Sequence, residues 1–171
     1  EWRLGRLIRA LAEIDRLEGY FPPDRFQKIV EHFIHGSGSL EKLTQKAEKQ
    51  PDSVQAQYDL AEKYFQRRDF GKAERRLSRV IALDPNNRYG MTETSHYYLA
   101  LSLASEEKKE AALEQLAQLD SHFPDSNLQA DATLLRGKIY YYSGDTTKAR
   151  KVLSTYLESH PDHGYTNLAR Q

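Results

Sequence analysis

The sequence contains no cysteine. That excludes disulfides, thiolate metal sites and thiol catalysis within the chain, without fixing a compartment. It also lacks a net charge: Lys+Arg and Asp+Glu number 25 each in 171 residues, so no global attraction draws it to nucleic acid or to an anionic membrane. No apolar run approaches the ~20 residues of a membrane-crossing helix, so direct membrane insertion is not expected. The chain opens on Glu1 rather than Met, from which a fragment or processed form is expected, one from which a targeting segment could have been cut away. Cytoplasm and periplasm both stay open.

Signatures of chemistry are missing as well. There is no H-E-x-x-H motif. His32 and His35 stand three apart, and His160 and His163 flank Pro161-Asp162, but a metal would need a third convergent ligand, and they read as helix-end histidines. Glu106, Glu107 and Asp125 sit in turn segments rich in Lys or Ser. Catalytic carboxylates need a desolvated cleft to separate their pKa values, so these read as capping and solubilising groups. Gly36-Ser37-Gly38-Ser39 has the composition of a linker and lacks the lysine of a phosphate-binding loop. The expectation is a non-enzyme with no catalytic residue, no metal and no cofactor.

What the chain does have is aromatic residues and a period. Aromatics make up 11%, and 11 residues are Tyr, a side chain with an apolar body and a polar tip suited to contact surfaces as well as cores. Prolines 51, 85, 124 and 161 break the chain at spacings of 34, 39 and 37 residues. Between breaks, each segment reads as two helices. The first unit places Tyr58, Ala61, Tyr64 and Phe65 on one helical face, interrupts it at Asp69, Phe70 and Gly71, and resumes with Ala73, Leu77, Val80 and Ile81. The second has Tyr97, Ala100, Leu101 and Ala104, a turn in "SEEKKE", then Ala112, Leu116 and Leu119. The third has Leu134, Gly137, Tyr140 and Tyr141, a turn at "SGD", then Ala149, Leu153 and Tyr156. Small residues face each other in every pair: Ala61 with Ala73, Ala100 with Ala112, Gly137 with Ala149. Antiparallel helices approach closely only where side chains are small.

This skeleton resembles the tetratricopeptide repeat family, a degenerate helix–turn–helix of about 34 residues. The family's offsets hold Leu60, Ala61, Tyr64, Ala73, Leu77 and Pro85, then Leu99, Ala100, Leu103, Ala112, Leu116 and Pro124, then Arg136, Gly137, Tyr140, Ala149, Leu153 and Pro161. Leu103 departs from the Tyr, Arg136 from the Leu, and no Trp stands at the Trp offset. The resemblance covers roughly residues 40–165 and implies an all-α fold, a right-handed α-solenoid of helix hairpins, that binds other proteins.

Ahead of it, Leu4, Leu7, Ile8, Leu11, Ile14 and Leu17 are spaced as a helix that stops at Gly19 and Pro22-Pro23. Phe26, Ile29, Val30 and Phe33 form a second face capped by Asp24, and "LEKLTQKAEKQ" a short helix before Pro51. Residues 13–33 are also similar to the carboxyl-terminal end of thioredoxin-fold domains, although no redox motif lies in the chain. The expected organisation is an amino-terminal helical segment over 1–38 and a repeat domain over 39–171.

Two surfaces stand out. Lys72, Arg75, Arg76 and Arg79 form an outward stripe, which reads as a solvated face rather than a nucleic-acid site, since stacking aromatics are not interleaved with it. Tyr140, Tyr141 and Tyr142 are consecutive, about 100° apart on a helix, so they cannot all be core. In the resembling family, first helices line a concave groove. Those offsets hold Tyr58, Glu62 and Phe65, then Tyr97 and Leu101, then Leu134 and Lys138, followed by Tyr141 and Tyr142. The expected partner-binding residues are Tyr58, Glu62, Phe65, Tyr97, Leu101, Lys138, Tyr141 and Tyr142, with Glu62 and Lys138 setting register. Packing between repeats is the competing role for Tyr58 and Tyr97. The Lys and Asn residues with which some members clamp a terminal carboxylate are not matched: Tyr58 and Glu62 occupy two of those places. The leading function is a protein-interaction module for a protein or peptide segment, with self-association left open. Two alternatives are an accessory domain of a thioredoxin-like redox protein and, because "HFPDSNLQADATLLRGKIYYYSGD" is similar to envelope-associated repeat proteins, a bacterial cell-envelope assembly factor.

Overall fold

The computed structural model describes residues 38–159, which hold seven α-helices and no strand. They fall into two compact units, one ending at Gln50 and the other opening at Pro51. The first contributes α1 (Leu40–Lys49), capped by the Ser39 side chain, which accepts the Lys42 N–H at 3.4 Å. Glu41 in its first turn and Lys46 and Lys49 in its last complement the helix dipole. The expected helices within 4–17 and 26–33, the thioredoxin-like stretch 13–33 and the four histidines 32, 35, 160 and 163 lie outside the described residues.

The second unit comprises α2 (Val54–Gln66), α3 (Phe70–Leu83), α4 (Thr92–Ser105), α5 (Lys109–His122), α6 (Gln129–Tyr142) and α7 (Thr146–Ser159). The closest packing is within the hairpins α2–α3, α4–α5 and α6–α7. Each second helix then packs on the next first helix, and the first helices α2, α4 and α6 touch in a row. Among the described helices the principal contacts run between neighbours along the array, as in an α-solenoid.

The small-residue skeleton explains the hairpins. Ala61, Ala73, Ala100, Ala112, Gly137 and Ala149 are all buried, and each lets two helices close on one another. At Gly137 the fit is tight: a Cβ built there would lie 2.5 Å from Cδ2 of Leu153, one turn beyond the Ala149 expected to face it.

The turns also repeat. In each hairpin the first helix ends with a residue of positive φ at the same offset: Arg68 (58°), Glu107 (60°) and Gly144 (83°). Its N–H bonds to the carbonyl three residues back, and the following N–H (Asp69, Lys108, Asp145) reaches the carbonyls of Tyr64, Leu103 and Tyr140 at 2.9 Å each. This left-handed cap satisfies the helix's last carbonyls. Only the third repeat fills it with the residue that adopts positive φ at no steric cost. The first turn therefore falls at 67–69. Phe70 and Gly71, expected to interrupt the helix, open α3 instead.

Polar groups tie the hairpins together. Asp84, buried at the end of α3, accepts the N–H groups of Arg88 (2.8 Å) and Tyr89 (2.9 Å), while its carbonyl accepts the Thr92 hydroxyl at 2.5 Å. Arg136, which departs from the family's Leu, reaches back across α5 to Asp120 Oδ2 at 2.5 Å and the Leu116 carbonyl at 3.4 Å. The Ser126 hydroxyl donates to Glu93, joining the loop after α5 to the start of α4.

His96 on α4 is 6% exposed, and its Nδ1 donates to Gln115 Oε1 on α5 at 3.0 Å. Its ring lies 6.4 Å from that of His122 and 6.2 Å from that of Phe123. Burial, and secondarily the charge of His122, hold its pKa below the ordinary imidazole value, against the raising effect of Gln115. In the unfolded chain His96 takes up a proton near pH 6.5. The folded chain resists protonation until lower pH, so the unfolded state binds more protons in that window and stability falls as pH drops through it. Thermal melts should show a loss of Tm between about pH 7.5 and 5.5 that is smaller in His96→Gln. Equal losses in both proteins would assign the pH dependence elsewhere.

Candidate functional site

The row of first helices carries most of the residues expected to bind a partner. Between α4 and α6 lies a cavity of about 400 Å³ lined by Tyr97, Tyr98, Leu101, Leu134, Leu135 and Lys138, with Thr94, Leu128 and Asp131 at one end. It adjoins a second cavity of about 680 Å³ that shares Leu101, Leu135 and Lys138 and runs on past Ala104, Ile139 and Tyr142 to Glu107 and Glu110 in the turn region of the second hairpin. Together they form one groove along two successive repeats. Its walls are mixed: Tyr97, Tyr98, Leu101, Leu134 and Leu135 supply aromatic and aliphatic surface, and Thr94, Asp131 and Lys138 supply polar groups. It stays open because the residue at the Phe65 offset in the second repeat is the small Ala104.

Tyr97, Leu101, Lys138 and Tyr142 of the expected set thus come together in the groove. Leu134, expected on the same surface, joins them but is buried and packs with Ala130 and Tyr156. Phe65 is engaged between hairpins: its ring centroid is 4.8 Å from that of Tyr98 and 5.7 Å from that of Phe70. Tyr58 is half-buried on α2, with Glu62 exposed beside it. Burial first, then the charges of Glu62, Tyr98 and Asp59, push the Tyr58 hydroxyl up to about 12. Tyr141 lines neither cavity. It is 59% exposed and meets Tyr142, 83% exposed, edge-on at 5.4 Å. Tyr140, expected at the buried family offset, is half-buried, with Lys109 Nζ 5.7 Å and Lys148 Nζ 5.5 Å from its ring centroid.

Several groove residues escaped the sequence reading: Tyr98, Leu135 and Asp131 most of all. Tyr98 directly follows Tyr97, and its offset is Asp59 in the first repeat and Leu135 in the third, so no shared residue type marked it.

The basic stripe on α3 lies on the surface, and Lys72, Arg76 and Arg79 of its four residues have partners in the hairpin. Lys72 pairs with Asp69 at 2.6 Å and Arg79 with Asp52 at 2.5 Å, while Arg76 donates to Oε1 of the buried Gln57 at 3.0 Å. Lys108 pairs with Glu74 of α3 at 2.7 Å and with Glu106 at 2.8 Å. Among the described residues, no group of three or more His, Cys, Asp or Glu is placed to hold a metal, and no helix is long and apolar enough to cross a membrane.

Residues 38–93 match the family model described as tetratricopeptide repeat, and residues 89–170 the model described as outer membrane lipoprotein. No curated protein matches the chain. Among solved structures, the crystal structure of MamA is similar with a TM-score of 0.64 and 17% identity, over 88% of this chain and 84% of that one. At that identity the likeness concerns the fold.

Proposed function

We propose that this chain, which carries tetratricopeptide repeats, is a non-enzymatic scaffold that binds a partner's segment in the groove between α4 and α6. The observation that supports this reading is the convergence of Tyr97, Leu101 and Lys138, from two successive first helices, on one cavity of about 400 Å³. Scaffolding is the general use of the fold, whereas the groove comes from the residues. Its aromatic and aliphatic floor would bury apolar side chains at roughly 25 cal/mol per Å². Tyr97 and Tyr98 lose few rotamers on binding and keep hydroxyls for a partner's backbone. Tyr58 and Glu62 extend the surface along α2, and Tyr142 along α6. Tyr141 would add to it only where the segment runs past the end of α6. The basic stripe, with Lys72, Arg76 and Arg79 meeting Asp69, Gln57 and Asp52, is read as a solvated face rather than as a nucleic-acid site.

The test is quantitative affinity capture from an extract of the source cells. Tyr97→Ala with Leu101→Ala should lower recovery of the specific partner tenfold or more, about 1.4 kcal/mol, while Tm falls only modestly. If the double variant folds and captures normally, the groove is not the site. If it unfolds, these residues are packing between repeats.

A second reading concerns context. The match of residues 89–170 to a model described as outer membrane lipoprotein supports a place in assembly at the bacterial cell envelope. Fractionation of source cells should then recover the protein with the envelope, and recovery with cytosolic proteins alone would remove this reading.

A further inference from the structure

The two seams between hairpins are built differently, although the hairpins share one skeleton. Between the first and second hairpins, α3 lies extensively along α4. Phe65 of α2 meets Tyr98 of α4 ring to ring at 4.8 Å, and Leu99 of α4 is buried. Lys108, at the turn of the second hairpin, reaches back to Glu74 of α3 at 2.7 Å. The connecting loop is braced by the buried Asp84, whose carboxylate accepts the N–H groups of Arg88 and Tyr89.

The corresponding places in the second seam hold other residues, and α5 touches α6 much more lightly. Ala104 stands where Phe65 does, and with Leu135 it borders the cavity of about 680 Å³. Leu113 and Asp145 replace Glu74 and Lys108, and Asp145 pairs with Lys148 of its own hairpin at 2.9 Å. Phe123 replaces the bracing Asp84, and Ser126 ties its loop back to Glu93 of the second hairpin. Arg136 replaces the buried Leu99. Its bond to Asp120, and the approach of Lys109 to the Tyr140 ring, are polar links between partly exposed groups. Links of that kind resist motion weakly, being exchanged for water at little cost. Within the third hairpin, by contrast, α6 and α7 pack closely around Tyr156.

We propose that the third hairpin swings as one body against the first two, about the loop 123–128, so that the groove between α4 and α6 opens and closes. Domain-scale motions concentrate where few contacts join bodies that are each well packed, and a short loop absorbs the change in backbone angles. The groove's two walls belong to opposite sides of this seam: Tyr97, Tyr98 and Leu101 move with the second hairpin, Leu135 and Lys138 with the third. Ala104 supplies the freedom, because the space that a ring fills at the first seam is left for α6 to move into. The swing does not depend on what the groove holds, so it is judged separately from partner capture.

Since the chain has no cysteine, spin labels can be placed on introduced pairs and their separations measured by double electron–electron resonance on the whole chain. Ser78, Ala117 and Ser154 are exposed at one equivalent offset on α3, α5 and α7. Ser78→Cys with Ala117→Cys reports the first seam, and Ala117→Cys with Ser154→Cys the second. The second distance distribution should be at least about twice as wide as the first. Tyr141→Cys with Ser154→Cys, a pair within the third hairpin, should be as narrow as the first seam. Ala104→Phe gives the second seam the ring of the first, and should narrow the second distribution while leaving the first unchanged. Equal widths across the two seams would overturn the hinge. So would a wide distribution within the third hairpin, which would make local fraying of α7 the source. If Ala104→Phe folds and the second distribution keeps its width, the open cavity is not what frees the hairpin, and that cause falls. Should Ala104→Phe not fold, the three label pairs in the otherwise native chain still decide whether the hairpin swings.

Discussion

Tyr156→Ala should unfold the last hairpin at temperatures where the wild-type chain is intact. The ring is 0% exposed on α7 and packs with Ala130 and Leu134 of α6, with Leu153 and Leu157 around it. Truncating a buried aromatic costs roughly 3–5 kcal/mol, because the removed surface is no longer buried and the cavity collapses only in part. Whole domains are stable by only about 5–15 kcal/mol, and in a neighbour-coupled array the loss concentrates on the affected repeat. A fall in Tm on the order of 10 °C or more is expected, with hydrogen-exchange protection lost first in α6 and α7. Tyr156→Phe keeps the ring and should cost only about 1 kcal/mol for the hydroxyl. If Tyr156→Ala melted within a degree or two of wild type, α7 would not be packed as described.

The hairpins were legible because their causes are local. Close helix contact demands Ala or Gly, Pro ends each unit, and both recur at fixed spacing. The turn positions were less so. Arg68 and Glu107 occupy a positive-φ cap whose chemistry shows only in the third repeat, at Gly144. The groove was legible by half, for a physical reason. One first-helix offset holds Phe65, Ala104 and Tyr141. Phe65 fills the space toward Tyr98 of the next hairpin, Ala104 leaves that space open as a cavity wall, and Tyr141 is exposed. Whether a position packs or binds thus depends on the size of a residue one repeat away, which periodicity does not report. The basic stripe hides its partners in the same way: Arg76 meets Gln57 and Arg79 meets Asp52, 19 and 27 residues earlier in the chain.

Gly137→Val is the sharpest test of close helix contact. Even the first added carbon would lie 2.5 Å from Cδ2 and 2.7 Å from Cγ of Leu153, well inside van der Waals contact. Leu153 is partly buried and packs against the cluster of Ala130, Leu134 and Tyr156, so moving it aside gives up part of that packing. Valine adds two further methyls, and overpacking of this kind costs roughly 1–3 kcal/mol, occasionally more. The opposing term is small. Replacing Gly by Val in a helix gains only a few tenths of a kcal/mol in propensity, so the clash wins. Gly137→Ala is more balanced, since alanine gains up to about 1 kcal/mol over glycine in a helix and brings only the one carbon. The cause can be isolated by shortening the obstacle. Leu153→Ala alone should destabilise, but Gly137→Val with Leu153→Ala should be more stable than the sum of the two single losses, by about 0.5–3 kcal/mol of coupling. Thermal melts of the four proteins decide it: additive losses would mean that Leu153 is not what Gly137 makes room for, and a wild-type Tm for Gly137→Val would mean that α6 and α7 do not approach so closely.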